Sequence, residues 1–513
     1  MVKKQQLKPY APGKTIKKTP DAEQGRTDLV IALVGPIGAR LSEVAKLLHN
    51  SLSKDFEYKV DTIRVSELLL AAANREDVLS LPAYDRIDVS MRVGNDLRRI
   101  NQHDEILDYC AMRAVAAIAA KRETPVGVFK PRAFIINSLK HPDEVKLLRQ
   151  IYGNGFYLIG VHCDMDRRRQ NLIKIEGMTD DQATNLIGRD QGEAELYGQQ
   201  TVKTFHLSDF FIRDDPDNTG IIVDIERILD IIFGDPFATP TFDEYAMFMA
   251  FASAVRSADM SRQVGAVVAN EYNEIMASGA NDCPRFGGGL YWLQRDPQTF
   301  KYIDKAQGRD YMRADGDPNK DAQGKLIEDI ATRIEKAIKP ATSDVRSILR
   351  DSQIKDLTEF GRVVHAEMEA LLNCGRIGVS TRGTTLYCTT FPCHNCAKHI
   401  VSSGVMRVVY IEPYPKSKAE QFHSDSISVG AKVANKITFE AFVGIGPRRF
   451  FDLFAMEYGI GIPKKRRADG SPRRVSWGIK ERKAAIPRIP LNSVSYREVE
   501  KSVFLHFNER GTR

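Results

Sequence analysis

Short apolar runs alternate with longer amphipathic stretches over the first half of the chain. Residues 29–34, 132–138 and 158–163 consist mainly of β-branched and aliphatic residues, which is typical of strands buried on both faces of a sheet. Helical patterns separate these runs, and the alternation predicts a parallel α/β domain over residues 28–236. A change in composition after Pro236 marks the predicted domain boundary.

The second half of the chain alternates in a similar way and predicts a second α/β domain over residues 237–460. It is predicted to begin with a helix at 242–258 and strands at 264–270 and 274–279. A helix that begins at His365, a strand at 384–388, a helix at 392–403 and a strand at 407–411 follow. Residues 282–358 form a long polar insertion, with helical patterns at 302–306 and 327–338. Such an insertion usually serves as a lid or a subunit contact, or is partly disordered.

Composition indicates a globular protein without a membrane segment. The 513 residues are too many for one ordinary domain. No apolar run reaches the length of about 18 residues that a membrane span needs, and the lysine-rich N-terminus lacks the apolar core of a signal peptide. Seven cysteines are few and odd in number, which favours reduced thiols and metal ligation over disulfides. These features predict a cytoplasmic protein.

The net charge of +7 is concentrated at the two ends of the chain. Residues 1–27 are polar and basic and are predicted to be disordered. The C-terminal extension, residues 461–513, carries a second basic cluster, Lys464, Lys465, Arg466, Arg467, Arg473 and Arg474. Such clusters are usually solvated, although they also suit contact with nucleic acid.

The chain contains H-x-E followed by P-C-x-x-C, the signature of zinc-dependent deaminases, at His365, Glu367, Cys393 and Cys396. The two cysteines lie three positions apart, so on a helix their thiols face one side. Pro392 suits a helix start, where backbone N–H groups stabilise a thiolate. With His365 these thiols supply three zinc ligands and leave a fourth position for water.

Glu367 has the position of a proton carrier beside the metal. It lies two residues from His365, so both side chains face one metal only if the motif straddles a helix start. Zinc lowers the pKa of its water to about 7, and a nearby carboxylate can pass the proton to the ring nitrogen and the leaving ammonia. The alternative is a chance H-x-E pair near a structural or redox C-x-x-C, and the presence of both halves argues against it.

A glycine turn, residues 35–42, follows the first predicted strand and precedes a helix, which is the setting of a phosphate-binding loop. The motif's last glycine is replaced by Arg40 and its lysine by Leu41, so phosphoryl transfer is not expected. The candidates for nucleotide binding are Gly35, Gly38, Arg40, Ser42 and, in a predicted lid at 188–193, Arg189. Alternatively, the glycines only form a tight turn in a domain that binds nothing.

Two further segments make the chain resemble a known family. Residues 256–267, which begin with Arg256 and Ser257, resemble the opening of deoxycytidylate deaminases, and residues 279–281 stand at that family's Gly-x-Asn turn. A P-loop kinase-like domain fused to such a deaminase, with basic ends, resembles the bacterial anti-phage cytidine deaminases that deplete deoxycytidine nucleotides on infection. The resemblance extends over residues 29–460 and is stronger in the second half.

This resemblance implies zinc-dependent deamination of dCTP, dCMP or both, by a cytidine-deaminase-like α/β/α domain in a homo-oligomer. It implies that Asn281 binds the sugar hydroxyl and that the N–H groups of Ala366 and Cys393 contact the base and the hydroxide. It also places Arg256 and Ser257 near the substrate. Members of the family resemble one another in being held inactive by a small RNA, a partner that would explain the basic ends.

Tyr414, within the block 412–418, is a further candidate, because this block could close over the sugar or phosphate. An ordinary proline-punctuated turn with exposed lysines fits the block equally well.

Two other functions fit the metal motif. A polynucleotide deaminase acting on tRNA or single-stranded DNA shares it, but no aromatic and basic strand for stacking bases is present. A non-catalytic RNA- or nucleotide-binding regulator could hold a structural zinc, but such a site has no need of a carboxylate at Glu367.

Overall fold

The computed structural model describes residues 27–101, 106–122, 131–192, 198–314, 316–337, 344–357, 360–413, 417–457, 459–468, 471–491 and 495–510. They form two six-stranded sheets flanked by helices, and a separate two-stranded ribbon. Among the helices of these residues, none combines the length and the apolar character that a membrane crossing requires.

The N-terminal half alternates strands and helices, as the apolar pattern predicts. Its elements in chain order are β1 (Leu29–Val34), α1 (Leu41–Lys54), β2 (Lys59–Arg64), α2 (Val65–Ala72), α3 (Ala83–Ile100), α4 (Tyr109–Arg122), β3 (Arg132–Asn137), α5 (Pro142–Tyr152), β4 (Phe156–His162), α6 (Met165–Lys174), α7 (Asp180–Gly192), α8 (Thr201–Phe205), β5 (Phe210–Arg213) and α9 (Thr219–Ile232).

The strands β2, β3, β1, β4 and β5 lie side by side in that order and are all parallel. Every residue of β1 is buried, because helices cover both faces of the sheet. The predicted parallel α/β domain is therefore confirmed. In such open sheets ligands bind outside the carboxyl ends of the strands, and the glycine turn follows β1 at that edge.

The C-terminal half builds the second sheet. Its elements are α10 (Phe242–Val255), β6 (Gly265–Ala269), β7 (Ile275–Ala280), β8 (Gln294–Arg295), β9 (Tyr302–Ile303), α11 (Pro318–Ala337), α12 (Asp344–Asp351), α13 (Ala366–Ile377), β10 (Thr385–Thr390), α14 (His394–Ser403), β11 (Arg407–Glu412), α15 (Ala419–Phe422), β12 (Ile427–Val429), β13 (Ile437–Ala441), β14 (Gly444–Ile445), α16 (Phe450–Phe454), α17 (Ile479–Ala484) and α18 (Ser495–Arg510).

The second sheet has the strand order β12, β13, β11, β10, β6, β7. Alternate residues point to opposite faces. Val267 and Tyr387 belong to a core shared with α10 and the first domain, whereas Ala266 and Cys388 pack with α13 and α14. The α/β/α layering predicted for this half is thus present.

The last part of the chain returns to the first domain. The short strand β14 pairs antiparallel with β5 and extends the first sheet. Helix α18 packs against α4, where Glu500 accepts hydrogen bonds from Arg122 at 2.6 Å and from Tyr152 at 2.9 Å. Lys464, in the basic C-terminal cluster, is only 5% exposed. Part of that cluster is therefore structural.

The helix predicted at 302–306 is wrong. Tyr302 and Ile303 form β9, which pairs antiparallel with β8. Aromatic and β-branched side chains favour a strand. The helical spacing of apolar residues did not reflect a buried helix face, because both residues are exposed. The helix predicted at 327–338 is present, but it begins earlier, at Pro318.

Candidate active site

The two halves of the metal motif lie at the starts of two adjacent helices. His365 is the N-cap of α13 and Cys393 is the N-cap of α14, both with extended backbone. The predicted helix start between His365 and Glu367 is therefore confirmed. Both helices direct their N-terminal N–H groups toward the same region, which makes it favourable for negative charge.

Three metal-ligand atoms converge there. The Nδ1 atom of His365 lies 3.4 Å from Sγ of Cys393 and 3.3 Å from Sγ of Cys396, and all three atoms lie within 4.8 Å of one another. The pKa of the Cys393 thiol is lowered to about 4, chiefly by the hydrogen bond from Cys396 and then by His365. One imidazole and two sulfurs at this spacing fit a tetrahedral ion with a fourth, open position.

Glu367 lies beside this group with its side chain almost wholly enclosed. It is 4% exposed, and burial raises the pKa of its carboxyl group, against the opposing effect of His365. A buried carboxyl group whose pKa is raised is suited to accept and release a proton.

The close approach of α13 to the second sheet depends on Gly279 in β7. A Cβ atom at this position would overlap the backbone of Ala366 and Ala370. Only glycine therefore lets the first turn of α13 lie this near the sheet. The sequence marks this position as part of the Gly-x-Asn turn, and the structure adds a packing reason for the glycine.

A cavity of about 560 Å³ opens in front of the motif. Its wall includes His365, Ala366, Glu367 and Cys393 on one side and the turn at 258–264 on another. This volume is in the range of sites that enclose one small molecule. The predicted position of Ala366 at the site is consistent with this wall.

The insertion supplies a further wall that the sequence motifs did not indicate. Asp310, Asp317, Asn319 and Lys320 all line the cavity. The only local signal is a helix start at Asp317, whose carboxylate accepts hydrogen bonds from the N–H groups of Asn319 and Lys320. Such a cap predicts a helix but no chemistry, so these residues could not be assigned to the site.

Asn281 lies in the cavity wall and also holds the neighbouring turn. Its Oδ1 accepts a hydrogen bond from the N–H of Val264 at 2.7 Å, and its Nδ2 donates to the carbonyl of Arg262 at 2.8 Å. Each group of the amide has capacity for a second bond. The predicted contact with a sugar hydroxyl stays a prediction.

Two other predicted substrate residues lie behind the cavity wall. Ser257 donates a hydrogen bond to the carbonyl of Asn281. Arg256 donates to the carbonyl of Tyr291 at 2.7 Å and stacks 3.5 Å above the ring of Trp292. In this structure both side chains support the wall and do not line it. Tyr414 lies outside the described residues.

The wall of the cavity carries more acids than cations. Asp282 is paired with Arg309 at 3.2 Å, and Asp310 with Arg362 at 2.8 Å. Arg262 and Lys320 are the cations of the wall, within the part of the chain that the structure describes.

The predicted nucleotide-binding residues of the first domain surround the glycine turn. Gly38 has a φ of +87° and lies against the backbone of Arg168, so a side chain there would clash. Ser42 accepts a hydrogen bond from Asn137 at 3.4 Å. Arg189 is part of α7 and pairs with Asp88 of α3, and the lid at 188–193 stays a prediction. Whether Gly35 and Arg40 bind a nucleotide stays a prediction.

Comparison with known proteins finds relatives for the part of the chain that carries this geometry. Residues 240–412 match the family described as the cytidine and deoxycytidylate deaminase zinc-binding region. The chain is 28% identical over 225 residues to a probable deoxycytidylate deaminase of Drosophila melanogaster, which covers 44% of this chain and 74% of that protein. It is 36% identical over 92 residues to ComE operon protein 2 of Bacillus subtilis, over 16% of this chain and 49% of that relative.

Among solved structures, the dCMP deaminase from the cyanophage S-TIM5 in complex with dCMP and dUMP aligns over 40% of this chain and 100% of its own, with 18% identity and a TM-score of 0.23. The likeness of this chain to deaminases rests on the family match and on the sequence relatives. Residues 240–412 of the chain are therefore similar to the cytidine and deoxycytidylate deaminase zinc-binding region.

Proposed function

We propose that this protein deaminates deoxycytidine nucleotides, dCMP or dCTP or both, to the deoxyuridine forms with the help of zinc. The observation that carries the proposal is the convergence of His365, Cys393 and Cys396 beside the buried Glu367, in the wall of one cavity. Relatives named as deoxycytidylate deaminases support the choice of substrate class.

In this reaction water adds at C4 of cytosine, the exocyclic C–N bond breaks and ammonia leaves. Zinc held by His365, Cys393 and Cys396 would make a water molecule acidic enough to act as a nucleophile near neutral pH. Glu367 takes one proton from this water and delivers it to the ring nitrogen. As the C–N bond breaks, it transfers the remaining proton, from the new hydroxyl group at C4, to the leaving amine, so that a carbonyl group and ammonia form. Its burial excludes solvent, which keeps the proton within the site.

The first turns of α13 and α14 add backbone donors around the reacting atoms. Ala366 is the first residue of α13 and lines the cavity, and the helix N-terminus there favours an oxygen that gains negative charge. Arg262 and Lys320, as the cations of the wall, are suited to contact the phosphate of the substrate.

The size and charge of the cavity favour a free nucleotide over a polynucleotide. A volume of about 560 Å³ accommodates one nucleotide. A polynucleotide needs a cationic groove and exposed aromatic platforms along its path, whereas Asp259, Asp282, Asp310 and Asp317 stand in this wall. Glu367 in turn argues against a purely structural metal site.

The wider biological setting is part of the same proposal. Depletion of deoxycytidine nucleotides in defence against phage, an oligomeric enzyme and control by a small RNA are all implied by the resemblance to the anti-phage deaminases. They are predictions that deamination alone does not test. Comparison of phage yield in cells expressing the wild-type protein and Glu367→Gln would test the defensive role.

The proposed function is tested by incubating the purified protein with CMP, dCMP, dCTP and a single-stranded oligonucleotide, with and without a zinc chelator, and measuring release of ammonia. We expect deamination of dCMP or dCTP that the chelator removes and added zinc restores. Deamination of the oligonucleotide alone would favour the alternative that the protein is a polynucleotide deaminase. The absence of any deamination by the zinc-loaded protein would overturn the proposal.

A further inference from the structure

A second cavity, of about 500 Å³, lies in the first domain at the carboxyl edge of its sheet. We call it the N-terminal cavity. Its wall is built at the ends of three strands: Ile37 and Ser42 follow β1, Arg64 is the last residue of β2, and Asn137 and Lys140 lie at the end of β3 and just after it. This edge is where open parallel sheets bind their ligands.

The N-terminal cavity has one apolar side and one cationic side. Helices α2 and α3 and the segment between them contribute the apolar side chains Leu69, Leu70, Leu79, Ile87 and Met91. The charged side chains of the wall are the cations Arg64, Arg86, Arg98 and Lys140 and the acid Glu67. An apolar wall with a few converging cations suits a ligand that has a ring at one end and an anionic group at the other.

The cations differ in how firmly they are held by acids of the protein. Arg98 is 3% exposed and bonds Glu144 at 2.9 Å, so its charge is already matched inside the fold. Arg64 and Arg86 pair at 3.3 and 3.4 Å with Glu67 and Glu176 through exposed side chains. Such exposed pairs contribute little, so these two guanidinium groups can exchange their partners for an anion.

The glycine turn beside the cavity is closed to a polyphosphate by the protein's own carboxylates. The N–H of Ile37 donates to Asp190 at 2.8 Å, and the N–H of Arg40 donates to Asp214 at 3.2 Å. Both carboxylates are buried. These are the N–H groups that a phosphate-binding loop offers to a nucleoside triphosphate, so a single anionic group at the cationic side fits better.

We propose that the N-terminal cavity is a binding site for a nucleoside monophosphate, with the base against α2 and α3 and the phosphate near Arg64, Arg86 and Lys140. Its volume suits one such molecule. This site is separate from the deaminase cavity, and the proposal stands whether or not the deaminase substrate is the one proposed above.

A short helix connects this cavity to the second domain. Gln199 lines the cavity, and the next residue, Gln200, donates its N–H to the carbonyl of Lys140 at 2.9 Å. Helix α8 follows directly and packs against β11. At the end of β11, Glu412 accepts hydrogen bonds from Arg262 at 3.2 Å and from Thr390 at 3.3 Å.

Arg262 and Thr390 are both in the wall of the deaminase cavity. A ligand that shifts Lys140 or Gln199 therefore acts on a segment that reaches the deaminase wall through α8 and Glu412. We infer that occupancy of the N-terminal cavity changes the deamination rate.

Binding is tested by calorimetry of the full chain with dTMP, AMP, dCMP and inorganic phosphate. We expect at least one nucleoside monophosphate to bind more tightly than phosphate, and Arg64→Ala and Arg86→Ala each to weaken it about tenfold through loss of a charge-assisted hydrogen bond. Arg75→Ala is the matched control, because Arg75 is exposed, pairs with Asp77 and is not among the residues of this wall.

A second variant blocks the cavity without changing its charge. A Cβ atom at Gly94 of α3 would lie 3.5 Å from Leu69 and 3.7 Å from Arg98, an ordinary contact. Gly94→Ala should therefore fold, whereas Gly94→Leu extends into the space and should abolish binding. No binding of any monophosphate, binding no tighter than that of phosphate, or equal binding to Gly94→Leu would overturn the proposed site.

The effect on catalysis is measured with dTMP or AMP, which carry no cytosine and so are not substrates of the proposed reaction. A ligand at the N-terminal cavity should change the deamination rate at least twofold in the wild-type protein and not in Gly94→Leu. Inhibition that persists in Gly94→Leu would instead show competition at the deaminase cavity. An unchanged rate at saturating ligand would overturn the inferred coupling.

Discussion

The carboxylate of Asp214 holds Arg40 from two directions: it accepts a hydrogen bond from the backbone N–H at 3.2 Å and another from the guanidinium Nε at 2.7 Å. Asp214 is buried directly after β5, and Arg40 is the last residue of the glycine turn before α1. A turn whose N–H groups are bound by internal carboxylates, and which has Leu41 in place of lysine, is poorly suited to transferring a phosphoryl group.

Asp214→Ala should destabilise the first domain. The change leaves the guanidinium of Arg40 and the amide of Asn171 without this partner, and breaking a buried ion pair costs about 3–5 kcal/mol. Chemical denaturation of the purified variant measures this loss. Asp217→Ala, at an exposed position nearby, is the control, and equal stability of the two variants would show that the Asp214 contacts are dispensable.

Glu500→Ala should separate α18 from the first domain. Glu500 is 1% exposed and bonds both Arg122 and Tyr152; because Asp28 also pairs with Arg122, we expect a loss of about 2 kcal/mol rather than the full cost of an unpaired charge. Limited proteolysis should then cleave near residue 495. The exposed Glu498→Ala on the same helix should behave as the wild type, and a wild-type digestion pattern for Glu500→Ala would contradict this role.

Lys464→Met should stabilise the protein at pH 7 and much less at pH 10. The Nζ of Lys464 is buried without a hydrogen-bond partner among the described residues, and burial, with the neighbouring Arg488, lowers the pKa of this lysine to about 8. In the unfolded chain the pKa of this lysine is about 10.4. At a pH between the two values, Lys464 is therefore protonated in the unfolded chain and neutral in the folded protein. Stability of the wild type therefore rises with pH between these two values.

The measurement is the melting temperature of the wild type and Lys464→Met at both pH values, with the exposed Lys480→Met as control. We expect a gain of about 1 kcal/mol or more at pH 7 from removal of an unsatisfied buried charge. Destabilisation by Lys464→Met at pH 7 would indicate that this ammonium group has a partner that the structure does not describe.

Asn281→Ala should impair catalysis more than folding. The change removes the bonds to Val264 and Arg262, each worth about 1 kcal/mol, and frees the turn at 258–264 that lines the deaminase cavity. We expect kcat/KM to fall at least tenfold while the melting temperature falls by a few degrees. Asn281→Asp keeps the acceptor for Val264 and should retain more activity, whereas wild-type kinetics for Asn281→Ala would remove this residue from the site.

The metal motif was predictable because each of its two halves is a short local pattern, H-x-E and P-C-x-x-C. The spacing of His365 and Glu367 required a helix to begin between them, and the structure begins α13 at Ala366. The apolar pattern likewise indicated β1 and the parallel sheet, since a strand buried on both faces has no polar position.

The remaining features depend on contacts between distant parts of the chain. Lys320 reaches the deaminase cavity from the insertion, and Asp190 reaches the N–H of Ile37 over 153 positions. No local pattern encodes such pairings. The burial of Lys464 could not be predicted from the sequence either, because a lysine in a basic cluster ordinarily indicates solvated surface.

The central claim is that Glu367 moves the protons of a zinc-dependent deamination in the cavity in front of His365. The most direct test is to compare the rates of dCMP and dCTP deamination by the wild type and Glu367→Gln, with the zinc content of each preparation measured by atomic absorption. The account predicts about one zinc ion per chain in both proteins and a fall of at least 100-fold in the rate of the variant. Deamination by Glu367→Gln at the wild-type rate, with equal zinc content, would contradict it.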